Sequence, residues 1–228
     1  MIKTLGLASV SALFFLIAQC LFPCTGRSDD PRVLVAIRRV ESTFQAVQGY
    51  ACDVDQIFYQ DGSERQRHRF KLYFKRKKKI RVDFLSPYPS LSIFYAGGDR
   101  EATVMPFRFL TALKFRYSID SPKIRTLAGQ RIDQSDLGFF IEFVLKNLSE
   151  VNQGEEDYQE DEEQIRFLLR AKDYVRNQNL ETYRITISKT FWLPVRIERR
   201  SLDDRPIEIT DIRDYRINVH LEDKFFIP

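Results

Sequence analysis

Acid–base and nucleophilic chemistry at neutral pH leans on histidine and thiolate, and this chain of 228 residues has two His and three Cys. Neither His68 nor His220 forms a nucleophile–base pair within one motif. Cys20, Cys24 and Cys52 are too few for a disulfide scaffold, and no Cys/His spacing matches a zinc site. Asp133, Ser135 and Asp136 cluster as hydrolytic residues sometimes do. Either Ser135 or Asp136 is explained more simply as the N-cap of a helix running to Leu148. The acidic segment 150–163 holds eight Asp/Glu and no Lys/Arg, without the glycine-bearing loop that calcium requires. These residues predict a protein with no catalytic residues, metal or cofactor, in which binding is the work.

Composition bounds the architecture. Apolar residues make up 43% of the chain, with 19 Phe and 10 Tyr, which suits one globular domain and excludes a disordered chain. The first residues read as an address. Lys3 precedes an apolar run from Leu5 to Phe22, followed by Pro23 and small residues, the pattern of a secretory signal over 1–26. Two endings stay open. Cys24-Thr25-Gly26 offers small residues for peptidase cleavage, and Ile17-Ala18-Gln19-Cys20 is similar to a lipobox that would make Cys20 a lipidation site. Either way the remainder, 27–228, is expected as a single exported domain. With cleavage at Gly26 only Cys52 is left, so no internal disulfide can form.

The periodicity of that domain changes along the chain. After Asp30-Pro31, an N-cap followed by proline at the first helical position, Val33, Ile37, Val40 and Phe44 recur at helical spacing. Alternation with period two then takes over: Phe70, Leu72 and Phe74; Ile80, Val82 and Phe84; Leu91, Ile93 and Tyr95. A second helix is expected from Ser135 or Asp136 to Leu148, with Phe139, Phe140 and Phe143 on its apolar side. More strands follow, near 164–172, 181–188, 192–200, 206–213 and 215–219. The expected fold class is α+β: a curved antiparallel sheet of ten or eleven strands forming a half-open barrel, with helices covering the concave face. If the helices fill the concavity only in part, an apolar cavity remains. Phe70, Leu72, Phe74, Val82, Phe84, Leu91 and Ile93 are its candidate walls, and Phe139, Phe140 and Phe143 its candidate lid.

Leu72-Tyr73-Phe74-Lys75-Arg76, followed by Ile80-Arg81-Val82-Asp83-Phe84-Leu85-Ser86-Pro87, resembles the LolA-like periplasmic lipoprotein-carrier family. Leu193-Pro194, Arg199 to Glu208 across a turn, and the closing Asp223-Lys224-Phe225-Phe226-Ile227-Pro228 agree with it, as does a helix directly after the leader. Lys77 and Gly97-Gly98-Asp99 depart from the family pattern, and 119–164 has no recognisable counterpart in it. The resemblance implies a half-open β-barrel with a helical lid, no enzymatic activity, and binding of the acyl chains of lipoproteins or other lipids in the periplasm. It implies partners too: an inner-membrane release complex and an outer-membrane acceptor. Arg76 matches the arginine that closes the lid.

The charge pattern leaves alternatives. Placing a three-residue turn at Lys77–Lys79 pairs Phe74 with Val82 and brings Arg76 inward at the rim, where the last carbonyls of a covering helix or loop could accept its hydrogen bonds; the alternative is an ordinary hairpin-end arginine that snorkels outward. Glu64–Arg81 holds ten Lys/Arg and one acidic residue; export argues against nucleic acid, leaving anionic lipid headgroups, an acidic partner or a solvated sheet face. Segment 150–163 is expected as a solvated loop. The leading functional expectation is a carrier passing acyl chains toward the outer membrane. Its rivals are a lipid-sensing regulator of the same fold and a membrane-anchored lipoprotein acceptor.

Overall fold

The computed structural model describes residues 31–228 except 99, 111, 127–128, 149–156, 174 and 176–178. The expected signal 1–26, the lipidation candidate Cys20 and the N-cap Asp30 lie outside the described residues. Helix α1 (Pro31–Ala46) buries Val33, Ala36, Ile37, Val40 and Phe44 along one stripe. Six strands follow: β1 (Gly49–Gln60), β2 (Ser63–Lys75), β3 (Lys79–Ser86), β4 (Ser92–Tyr95), β5 (Glu101–Met105) and β6 (Phe115–Ser118). Helix α2 (Leu137–Lys146) leads to β7 (Tyr158–Glu160), β8 (Gln164–Lys172), β9 (Leu180–Ser188), β10 (Leu193–Arg200) and β11 (Pro206–Ile217). All eleven strands join one antiparallel sheet in the order β6-β5-β4-β3-β2-β1-β11-β10-β9-β8-β7, so β6 and β7 are edges and the sheet stays open. This is the half-open barrel that the alternating pattern predicts.

Strand β1 is its axis, pairing with β2 on one side and β11 on the other. The sequence signal here is weak, because the inward row Tyr50, Cys52, Val54, Gln56 and Phe58 contains a glutamine and a cysteine. Residues 206–217 form one strand where two were expected. A bulge between β1 and β11 absorbs the break: Asp214 takes a positive φ of 54°, so Ile212 and Tyr215 both turn inward although three positions apart. The expected acidic loop is also partly strand. Residues 150–156 lie outside the described residues, while Tyr158–Glu160 form β7 and Asp161 turns the chain into β8 by accepting from the N–H groups of Glu163 and Gln164 at 2.9 and 2.7 Å.

The register of β2 on β3 differs from expectation by two residues. Phe74 faces Ile80, Leu72 faces Val82 and Phe70 faces Phe84, so the turn is Arg76–Lys78. Both Lys77 and Lys78 take positive φ, which gives the turn the twist its strands need. A two-residue slip preserves parity, so the apolar face is the expected one and only the partners change.

On the outer face the basic residues of this hairpin find acids within the chain. Arg67 pairs with Asp55, Lys71 with Asp53 at 3.2 Å, and Lys75 and Lys79 with Asp223 at 2.7 and 2.8 Å. Hydrogen bonding from Arg67 holds the Asp55 carboxyl below the usual range, and the two lysines bring Asp223 to about 2. The C-terminal turn Asp223–Phe226 closes over this face, with Arg81 4.2 Å from the Phe225 ring.

Inside, α1 crosses the concavity. Arg32 lies over the Tyr158 ring at the β7 edge, Arg39 over Trp192 at the β9–β10 turn, and Arg76 over Phe44 at the β2–β3 turn. Beneath it Phe167, Leu169, Tyr183, Ile185, Ile187 and Leu193 are almost wholly buried. A buried charge network ties β9, β10 and β11 together. Arg199 donates to Glu181 from Nε and a terminal nitrogen at 3.0 and 3.1 Å, and from its other terminal nitrogen to Glu208 at 2.7 Å.

Candidate functional site

Where α1 and its aromatic residues do not reach, the concave face is hollow. A cavity of about 330 Å³ lies between the sheet and residues 123–126 and 130–140. Its sheet walls include Phe70 and Leu72 of β2, Val82 and Phe84 of β3, Leu91 and Ile93. These are six of the seven wall positions that the alternation marks out. Phe74 stands elsewhere: its ring stacks on Tyr50 at 5.1 Å and lies 5.9 Å from Phe44. With Tyr215 and Phe191 these rings form an aromatic plug that fills the α1 end of the concavity. Phe74 has the right parity but lies under a helix, a position that strand periodicity does not report.

Of the three lid candidates, Phe140 borders the cavity. Phe143 instead rests 5.0 Å from the Tyr183 ring on the filled side, and Phe139 is half-buried without bordering the cavity. The buried stripe of α2 runs through Leu137, Phe140, Ile141 and Val144, and Phe143 and Phe139 lie about 60° and 100° to one side of Phe140, away from the hollow. The wall that the sequence reading missed is the rest of the far side, where Ile124, Ile132 and Leu137 complete the enclosure. Ile124 and Ile132 lie in short irregular turns, where no period marks them. Val54, Ile197 and Ile212 line the floor from β1, β10 and β11, and period-two spacing along those strands is the signal for them.

Helix α2 is pinned at its start. Asp136 is its N-cap, accepting from the Phe139 N–H at 3.2 Å, and the Leu137 N–H donates to the Tyr50 hydroxyl at 3.1 Å. Asp136 also lines the cavity, and burial pushes its carboxyl upward. One of its oxygens, Oδ2, is buried without a hydrogen-bond partner. Gly138 lets α1 and α2 meet, because a Cβ there would lie 2.7 Å from both the Phe44 ring and the Asp136 carboxylate.

Arg76 secures α1 from below. Its Nε donates to the Val47 carbonyl at 2.7 Å and a terminal nitrogen donates to the Phe44 carbonyl, while its backbone N–H donates to the Gln48 carbonyl at 2.9 Å. A cation placed on the final carbonyls of a helix also complements the helix dipole. Arg76 therefore holds Phe44, Phe44 abuts Gly138, and Gly138 belongs to the helix over the cavity.

The cavity is amphipathic. Its walls at Leu72, Val82 and Ile93 are apolar, whereas Gln56, Gln66, His68, Glu208 and Thr210 line the end nearer the β1–β2 turn. Glu208 is satisfied: it accepts from Gln56 Nε2 at 2.7 Å, from the Thr210 hydroxyl at 3.2 Å and from Arg199. Burial pushes the His68 imidazole down, toward its neutral form, among the rings of Phe58, Phe84 and Tyr88. Burial likewise raises the Cys52 thiol, away from the thiolate that a nucleophile requires. Among the described residues, no group of three or more His, Cys, Asp or Glu side chains is placed to hold a metal ion.

An unclosed eleven-stranded sheet with helices across its concave face is the architecture that the sequence resemblance implies. The fold is an unclosed antiparallel half-barrel with helices across its concave face. No protein-family model and no curated relative matches the chain by sequence. Among solved structures, an uncharacterized conserved protein from Thermus thermophilus is similar at 12% identity and a TM-score of 0.50, with 86% of this chain and 92% of that one covered. The Mycobacterium tuberculosis lipoprotein LppX has 9% identity and a TM-score of 0.49 over 85% of this chain and 98% of its own. A LolA superfamily protein from Nitrosomonas europaea has 12% identity and a TM-score of 0.40 over 86% and 97%. At such identities the likeness concerns the fold and says nothing of the activity.

Proposed function

We propose that this protein is a non-enzymatic carrier that holds acyl chains in the cavity between the sheet and α2. In this reading it works in the periplasm and passes its cargo toward the outer membrane. The observation that carries the proposal is the cavity itself, a hollow with apolar walls and one polar end on a concave face whose other side is filled. Apolar side chains lining an open concavity have no partner until a ligand supplies one, and each buried CH₂ contributes about 0.8 kcal/mol. Its volume, about 330 Å³, is near the lower end of ordinary ligand pockets. Larger cargo would therefore need α2 to lift, and the contacts from Arg76 through Phe44 to Gly138 are the natural restraint on that movement.

Native mass spectrometry of the full chain, exported from a bacterial host, tests this reading. The expected result is co-purifying lipid or acylated peptide that organic solvent removes, present on the wild type and absent from Val82→Asp. A bare wild-type mass, or lipid retained by Val82→Asp, would count against the cavity as the binding site. The same spectrum reports the mature N-terminus, separating a cut near Gly26 from acylation at Cys20.

A further inference from the structure

Among the described residues, the connection from β5 to β6 exposes apolar side chains in a way that the rest of the surface does not. Phe109 is 74% exposed, and Phe107, Leu110, Leu113 and Phe115 are exposed beside it. Leu110 N–H donates to the Phe107 carbonyl at 3.0 Å, Leu113 N–H to that of Leu110 at 2.9 Å, and the rings of Phe107 and Phe109 lie 5.6 Å apart. Soluble proteins rarely leave so many large apolar groups together in water without a partner.

The charges here have one sign. Arg108, Lys114 and Arg116 are interleaved with the apolar residues, and no acidic residue occurs between Glu101 and Asp120. Arg108 reaches Asp83 only at 3.7 Å, and Lys114 reaches the Pro228 carbonyl at 3.5 Å. The basic β2–β3 hairpin is different, since four of its cations are closely paired with Asp53, Asp55 and Asp223. Aromatic side chains beside weakly opposed cations on an exposed connection match the interface of an anionic bilayer, where rings enter the headgroup boundary and cations meet lipid phosphates. The connection also adjoins the cavity. Arg108 N–H donates to the Ser90 carbonyl at 3.1 Å, and the neighbouring Tyr88 and Leu91 line the hollow.

We infer that the β5–β6 connection is a membrane-docking element that inserts Phe107, Phe109 and Leu110 into an anionic lipid surface, bringing the rim of the cavity against the bilayer. This docking does not depend on what the cavity holds, so it is tested separately from lipid carriage. The probe is vesicles of mixed phosphatidylglycerol and phosphatidylethanolamine, with phosphatidylcholine vesicles for comparison.

In Phe109→Trp the new indole should shift its emission to the blue on the anionic vesicles and be quenched by brominated acyl chains. The native Trp192, under Arg39, should do neither. This readout is local to position 109 and independent of any anchor at Cys20. In a Cys20→Ser background, Phe109→Asp should weaken flotation with anionic vesicles about tenfold, and phosphatidylcholine should capture less protein than the anionic mixture. A position-109 indole that stays water-like and unquenched overturns the inference. So does undiminished flotation of Phe109→Asp, which would place the contact elsewhere, and so does a failure to bind anionic vesicles even where an acidic protein is bound.

Discussion

The two sides of the concave face obey the same sequence rule and end in opposite states. On β8, Ile165, Phe167 and Leu169 recur at every second position as regularly as Phe70 and Leu72 do on β2, yet the first set is sealed and the second borders empty space. The difference lies in what covers them. Over β8–β10 runs α1, with Phe143 of α2 set down on Tyr183. Over β2–β4 lie Leu137 and Phe140 of α2 with the short turns that carry Ile124 and Ile132, and the floor includes Gln56 and Thr210. A half-barrel thus acquires a packed side that supplies stability and a hollow side able to receive a ligand. The aromatic plug of Phe44, Tyr50 and Phe74 marks the border between them.

That contrast can be broken at its strongest joint first. Arg199→Met would leave Glu181 and Glu208 buried without their cation, and the expected loss is about 3–5 kcal/mol of unfolding free energy by urea titration. Adding Glu181→Gln and Glu208→Gln should return part of it; no recovery would mean that packing, not charge, holds the joint. Next, Leu169→Ala on the sealed side should cost about 3 kcal/mol, because it opens a new cavity. Ile93→Ala on the hollow side should cost about 1 kcal/mol, since space already lies beside it. Equal losses would show that both sides are packed alike in solution. The smallest effect on stability relative to its reach is expected of Arg76→Leu, about 1 kcal/mol from the lost helix-end hydrogen bonds. Amide exchange should rise around Phe44–Gln48 and along α2 while β8 and β9 stay protected. Unchanged exchange in α2 would show that α1 does not restrain the helix over the cavity.

Much of the site could be read from alternation, and its failures are specific. Phe70, Leu72, Val82, Phe84, Leu91 and Ile93 are legible as wall positions because strand parity assigns a face, and parity survives even a two-residue error in the register of β2 on β3. Parity assigns no neighbour across the space, so it could not separate Phe74, under α1, from Leu72 of the same row, beside the hollow. Helical spacing likewise marks Phe139, Phe140 and Phe143 as apolar without assigning each to the filled or the empty side. The network of Arg199, Glu181 and Glu208 was legible only in part: the resemblance marks Arg199 and Glu208 across one turn, whereas Glu181 stands on another strand and joins them only through the sheet. Ile124 and Ile132 sit in chain without a period to announce them.

By itself the sequence determined the helix after Pro31, the alternating strands, the apolar face of the sheet and the N-cap region of α2. These depend on local dihedral preference and on the spacing of apolar residues along one stretch of chain. Only the tertiary structure decided which part of the concavity is filled, where Arg76 finds its carbonyls, and that the β5–β6 apolar residues remain in solvent. Those outcomes depend on which surfaces meet across the fold, and the free energy of a contact belongs to both partners, however far apart they stand in the chain.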